Sequence, residues 1–143
     1  MTTSPRQTVE AFIAGFRLQD VDAALSTVSG DVQVTVYPLQ LSDSGKPVIS
    51  KVLDDIVVSF PDLHLTVRNV LELGRVVVVE MKIEGTQAAD YLGAINQEKH
   101  LDVDSAWRFT VTGDAITGID VYWCQNQLYR RLAVKRTDQV TIV

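Results

Sequence analysis

Apolar residues recur at Val9, Phe12, Ile13 and Phe16, the spacing of one buried helix face. Ser4 can cap such a helix and Pro5 suits its first position, so the pattern predicts a helix starting at Ser4-Pro5. Asp20-Val21-Asp22-Ala23-Ala24-Leu25 opens a second short helix, predicted to end at Gly30. The period then changes to two. Val32, Val34 and Val36 alternate with Asp31, Gln33 and Thr35, a half-buried strand running into Tyr37-Pro38. Residues 41–47 are rich in turn-forming side chains and read as a loop. Val48, Val52, Leu53, Ile56 and Val57 return to helical spacing, and Phe60-Pro61-Asp62 stops that third helix.

The remainder reads as strands. Leu63, Leu65, Val67, Asn69 and Leu71 alternate with His64, Thr66 and Arg68. After a turn at Gly74, Val76 to Glu84 is a long strand with Val77, Val79, Met81 and Ile83 on one face. Residues 85–98 form a loop around Tyr91-Leu92-Gly93, and residues 86–100 are a candidate lid. Leu101 to Val111 and Ile116 to Gln125 are strands joined at Thr112-Gly113-Asp114, and a short helix (Leu128, Tyr129, Leu132) follows. Helices first and strands last indicate α+β: helices packed on one face of a strongly curved antiparallel sheet of four to six strands. Such a cone encloses an apolar pocket at its open end, a setting for small-molecule binding.

Composition narrows the reading. The 143 residues fit one domain spanning 1–143, and 46% hydrophobic with 22% charged residues is globular, not disordered. Thirteen basic against eighteen acidic residues give a net charge of -5. With no basic stripe, neither nucleic acid nor an anionic membrane is an expected partner. The cluster Arg130, Arg131, Lys135 and Arg136 reads as a solvated helix end. A single cysteine, Cys124, excludes an internal disulfide, and His64 and His100 belong to no cluster with metal-ligand spacing. The N-terminus lacks a signal-like apolar segment and no run is long enough to span a bilayer. The expectation is a cytoplasmic protein with no metal and no cofactor.

Five segments in order carry a family resemblance. They are Phe16 with Asp20-Val21-Asp22-Ala23; Phe60-Pro61-Asp62-Leu63-His64-Leu65-Thr66-Val67; Gly85-Thr86 with Asp90-Tyr91-Leu92-Gly93; Phe109 to Ile116; and Leu128 to Leu132. Together they resemble the SnoaL-like polyketide cyclases of the nuclear-transport-factor-2-like (NTF2-like) superfamily. The resemblance implies a cone fold, a hydrophobic polyketide substrate, ring-closing chemistry and a homodimer. The candidate dimer face is the outer sheet face, with Val70, Val76, Val78, Ala106 and Tyr122.

Aldol-type members need a general base, an Asp on the last strand. A gapless count from Ile116 puts Val121 in that column and Asp120 one residue before it. Asp120 is therefore either the catalytic base, through a one-residue slip, or an outer-face charge paired with Arg108 or Arg68. The family column turns Trp123 and Gln125 inward on the last strand and Ser105 and Trp107 on the one before. Asn69 and Met81 face the same way, and Phe16, Tyr37 and Tyr91 complete the candidate substrate contacts. Tyr91, Asn69 or Gln125 would polarise a substrate carbonyl. An inner face this poor in charge favours a closure that moves no proton, such as a [4+2] cycloaddition, in which the pocket acts by orientation. The alternatives are an aldol cyclase using Asp120, an isomerase or epoxide hydrolase on the same cone, and a non-catalytic binder.

Overall fold

The computed structural model describes residues 3–134; Lys135 and Arg136 of the basic cluster lie outside the described residues. Helix α1 (Pro5–Arg17) starts where the sequence puts it, with Ser4 and Gln7 forming a reciprocal capping box. Helix α2 (Val21–Leu25) is capped by Asp20, whose side chain accepts from Ala23 N at 3.0 Å. It packs tightly on α1, for a Cβ on Gly15 would lie 2.6 Å from Ala24 N.

The second helix ends at Leu25, not at Gly30. Ser26 and Thr27 hydroxyls donate back to the carbonyls of Ala23 and Ala24, and the chain leaves the helix as strand β1 (Val28–Val36). Gly30 lies inside β1, where the register shifts between Val28 and Gln33. A single 3-10 turn (Tyr37–Leu39) follows. The expected loop then contains an edge strand, β2 (Leu41–Ser44), paired antiparallel to β1. Gly45, at φ 108°, turns the chain into α3 (Lys46–Ser59), which buries Ile49, Val52, Leu53 and Ile56.

Strands β3 (His64–Leu73), β4 (Val76–Thr86), β5 (His100–Thr112) and β6 (Ala115–Trp123) form an antiparallel meander, and α4 (Gln125–Arg131) closes the described chain. Gln125 is thus helical rather than the end of the last strand. The sheet order is β2-β1-β6-β5-β4-β3. The expected antiparallel pairing holds at every junction but one: β1 lies parallel to β6, so the sheet is mixed. Helix α1 touches β3, β4, β5 and β6, because the sheet curls around it.

Its core is aromatic. Phe12, Phe16, Trp107 and Phe109 are fully buried, with ring centroids 5.2–6.4 Å apart. The segment at Phe60 ties α3 to the sheet. Asp62 Oδ1 accepts from Thr86 N at 2.7 Å, and that hydrogen bond holds its carboxyl below the usual range.

Candidate active site at the mouth of the cone

The interior of the cone is filled by its own side chains, and the open space lies at the mouth. There a cavity of about 410 Å³ is walled by α3, the turn before β2, the Tyr91 loop and the end of β6. This is within the ~300–1,000 Å³ usual for small-molecule sites. Leu39 and Leu41 form one apolar wall, Val48 and Val52 a second, and Leu92 and Trp123 a third. Its polar groups are Asp43, Lys51, Asp55 and the Tyr91 hydroxyl.

Helix α3 supplies Val48, Lys51, Val52 and Asp55 from one flank, at spacings of three and four residues. Lys51 Nζ lies 3.0 Å from Asp55 Oδ2, and both side chains reach solvent at the rim (77% and 44% exposed). Asp43 accepts from Ser44 N at 2.8 Å.

The Tyr91 loop is fixed rather than free. Tyr91 and Ala94 exchange N–H···O bonds of 3.0 and 2.8 Å around a two-residue turn. Leu92 (φ 50°) and Gly93 (φ 81°) both take the left-handed conformation, strained for a leucine. Four further hydrogen bonds tie down this turn and its flanks. Ala88 N donates to Ser59 O at 2.8 Å, Ser59 Oγ to Asp90 O at 3.4 Å, Gln87 Nε2 to Ala94 O at 3.1 Å, and Tyr129 Oη to Leu92 O at 3.0 Å. These bonds anchor the turn at the centre of the candidate lid.

The side chain of Tyr91 is 5% exposed and packs edge-on against Phe60 at 5.3 Å. Among the described residues its hydroxyl makes no hydrogen bond, yet no buried side-chain polar atom is left without a partner, so that oxygen opens onto the cavity. Burial pushes its ionisation above the usual tyrosine range, and the charge of Asp55 pushes it further. Its proton is therefore held more tightly than that of an ordinary tyrosine.

Of the ten candidate residues read from the sequence, the mouth cavity gathers Tyr91 and Trp123. Trp123 Nε1 donates to Gln125 Oε1 at 2.8 Å, so Gln125 orients the indole instead of contacting the cavity. Phe16 and Trp107 are core. Ser105 Oγ accepts from Trp107 Nε1 at 3.1 Å and donates to Met81 O at 2.8 Å, so its one proton is used inside the protein. Tyr37 lies outside the cavity, stacked on Tyr122 with centroids 4.4 Å apart.

Asn69 is on the outer face. Pairing runs from Val67↔Met81 to Asn69↔Glu80, so Arg68 is an extra residue and every side chain beyond it changes face. Asn69 Nδ2 donates to Glu80 Oε1 at 3.1 Å, and Val70 turns inward opposite Val79. Asp120 is also on the outer face, opposite Arg108, whose Nε and Nη2 donate to its Oδ2 at 3.2 and 3.0 Å. That partner raises the Arg108 ionisation further.

An outer groove of about 670 Å³ is bordered by Arg68, Glu80, Asp104 and Tyr122, with Asn69, Met81, Ser105 and Trp123 also at its edge. Its ionic groups are already paired, Arg68 Nη1 lying 3.3 Å from Asp104 Oδ1. The mouth cavity, with a free donor among apolar walls, is the better candidate site. Lys51 and Asp55 escaped the sequence reading, although they flank the apolar stripe of α3 that includes Val48 and Val52.

A curled sheet wrapped on helices, with a cavity at its mouth, defines the NTF2-like class of α+β folds. Within it, this chain belongs to the SnoaL-like domain family, whose profile matches residues 9–123. Solved structures share the fold. A candidate SnoaL-like polyketide cyclase from Jannaschia sp. CCS1 superposes with a TM-score of 0.80 at 19% identity, covering 95% of this chain and 99% of that one. A candidate polyketide cyclase from Pseudomonas putida KT2440 gives 0.75 at 17% identity, with 91% and 98% covered. An NTF2-like protein of unknown function from Burkholderia pseudomallei K96243 gives 0.75 at 14% identity, with 92% and 100% covered. No curated protein matches the sequence. Among the described residues no helix is long and apolar enough to cross a membrane, and no group of His, Cys, Asp and Glu could hold a metal ion.

Proposed function

We propose that this protein is a cofactor-independent cyclase that closes a ring in a conjugated, polyketide-derived molecule held in the mouth cavity. The observation that carries this reading is the Tyr91 hydroxyl, an unpaired donor set among apolar walls. Membership of the SnoaL-like family supports it, as does the likeness to candidate cyclases. The walls hold a flexible chain folded with its reacting atoms together, and Tyr91 polarises a carbonyl. Orientation alone supplies roughly 7–11 kcal/mol in the best intramolecular reactions.

Incubation with linear aromatic and polyene surrogates, followed by chromatography with mass detection, tests this. A product of unchanged mass, or lighter by one water, with altered absorbance is expected. Surrogates that bind and return unaltered would instead identify a binder.

Asp120 has no part in this reading. Asp120→Asn is expected to keep at least about half of the ring-closing rate and to cost no more than about 1 kcal/mol, as for a surface ion pair. A hundredfold loss at unchanged stability would restore Asp120 as the base.

The same reading includes a homodimer through the outer sheet face. The bulge at Arg68 alters its composition: Leu71 and Leu73 stand beside Val76 and Val78, and Val70 does not. Analytical ultracentrifugation is expected to give twice the 15.8 kDa chain mass, and a monomer at micromolar concentration would end that part of the proposal.

A further inference from the structure

We propose that Tyr129 is a positioning residue for the Tyr91 donor: reaching from α4, it holds the left-handed peptide that follows Leu92 and so fixes where the Tyr91 hydroxyl stands in the mouth cavity. This deepens the cyclase reading and rests on its assignment of Tyr91 as donor to a substrate carbonyl.

The turn that carries Tyr91 is not one its own residues hold unaided. Leu92 is at φ 50°, a conformation in which Cβ crowds the following carbonyl oxygen. Gly93, at φ 81°, adjoins it and adds no side chain to stiffen the pair. Relaxation of Leu92 would swing the adjoining Tyr91, so contacts from outside the turn must keep it in place.

The bonds to α3 stop short of the left-handed pair, at Ala88 and Asp90, and Gln87 reaches Ala94 beyond it. Among the described residues, Tyr129 alone bonds the carbonyl between them, Oη donating to Leu92 O at 3.0 Å. Tyr129 does not line the cavity itself, so its effect on a ligand passes through the turn.

Helix α4 is a firm base for that grip. Leu128 and Leu132 are buried in the core. Arg131 Nε donates to Asp102 O at 3.3 Å, and Gln97 Nε2 to Leu132 O and Ala133 O at 3.2 and 3.1 Å. The same helix begins at Gln125, whose Oε1 accepts from Trp123 Nε1. One anchored segment thus sets both the donor turn and the aromatic wall of the cavity.

Two tricyclic probes test this: 9-fluorenone, with a ring carbonyl, and fluorene, the same skeleton with a methylene in its place. Dissociation constants are read from quenching of Trp123 fluorescence in the wild type, in Tyr129→Phe, and in Tyr129→Phe combined with Leu92→Asn. Apolar walls alone favour the hydrocarbon, so a preference for the ketone reports a donor aimed at its oxygen. The wild type is expected to bind fluorenone about tenfold more tightly than fluorene, the gain from one well-placed hydrogen bond. Tyr129→Phe is expected to cut that preference to about threefold or less, with fluorene binding retained. Retained fluorene binding also shows that the variant is folded. Leu92→Asn gives the turn an Asn-Gly pair, which takes the left-handed conformation readily, and is expected to restore the preference to within about twofold of the wild type.

A full preference in Tyr129→Phe overturns the proposal and leaves Tyr91 as the donor. Equal loss of both probes also overturns it, because Tyr129 would then shape the walls instead of aiming the hydroxyl. So does a preference that Leu92→Asn fails to recover, since Tyr129 would then act elsewhere than through the turn. A wild type that shows no preference for the ketone, or binds neither probe, removes Tyr91 as donor, and the cyclase reading falls too. Polyketide surrogates returned unaltered by a wild type that keeps the preference would end the cyclase reading and leave Tyr129 in its role.

Discussion

Replacing Tyr91 with Phe is expected to slow ring closure about 10²–10³-fold, the usual loss on removing a preorganised donor from a developing oxyanion. Stability should hardly change. The hydroxyl has no protein partner, so its removal orphans no buried group, and the ring keeps its contact with Phe60. A rate lost without a change in urea midpoint separates a donor from a structural tyrosine; loss of both would mean the hydroxyl supports the fold. Alkaline behaviour gives a second readout. The folded-state ionisation of Tyr91 lies above the ordinary value of about 10, because burial disfavours the phenolate. Above that pH the unfolded chain releases this proton while the folded chain retains it. Stability is therefore full below about pH 10 and declines as pH rises beyond it. Tyr91→Phe should remove this part of the alkaline decline.

Long, strongly periodic segments were legible in the sequence. Helix α1, with Val9, Phe12, Ile13 and Phe16, and strands β4, β5 and β6 lie nearly where their patterns place them. What escaped lacks such a signal. Strand β2 is short and polar, as edge strands often are, so Ser42, Asp43 and Ser44 read as loop. The bulge at Arg68 adds one residue and leaves no mark on hydropathy, yet it carries Asn69 and Val70 to opposite faces from those expected. The parallel pairing of β1 with β6 joins distant parts of the chain and has no local signature.

The candidate site was half legible for a related reason. Alternation says which side chains point into the cone but not whether they fill it. Phe16, Met81 and Trp107 fill it, and Trp123, nearer the mouth, borders open space. Lys51 and Asp55 look like an ordinary solvent-side pair on α3. They border the candidate cavity, where Ser59 docks the Tyr91 loop one turn further on. A charged residue at the margin of an apolar helical stripe is the one signal that would have found them.

Trp107→Ala should show what the interior aromatic residues do. It is expected to destabilise the protein by about 3–5 kcal/mol, the usual cost of truncating a buried Trp or Phe. The indole is fully buried, 5.7 Å from the Phe16 ring and 6.3 and 6.4 Å from Phe109 and Phe12. These partners come from α1 and from its own strand, so the space left behind is closed only by moving a helix on the sheet. The loss also ends the Nε1 bond to Ser105 Oγ, but Ser105 keeps its bond to Met81 O and is not orphaned. Against a typical total of about 5–15 kcal/mol, the effect takes from about a fifth of the stability to all of it. A shifted urea midpoint at constant slope measures it. Trp123→Ala should give the opposite profile, because Trp123 is only partly buried and borders the cavity. Its urea midpoint should move little, while surrogate binding falls at least about tenfold, as expected for an aromatic anchor worth more than 1.4 kcal/mol. If Trp107→Ala stayed as stable as the wild type and lost binding, the substrate would reach deep into the cone and the interior would be a pocket instead of a core.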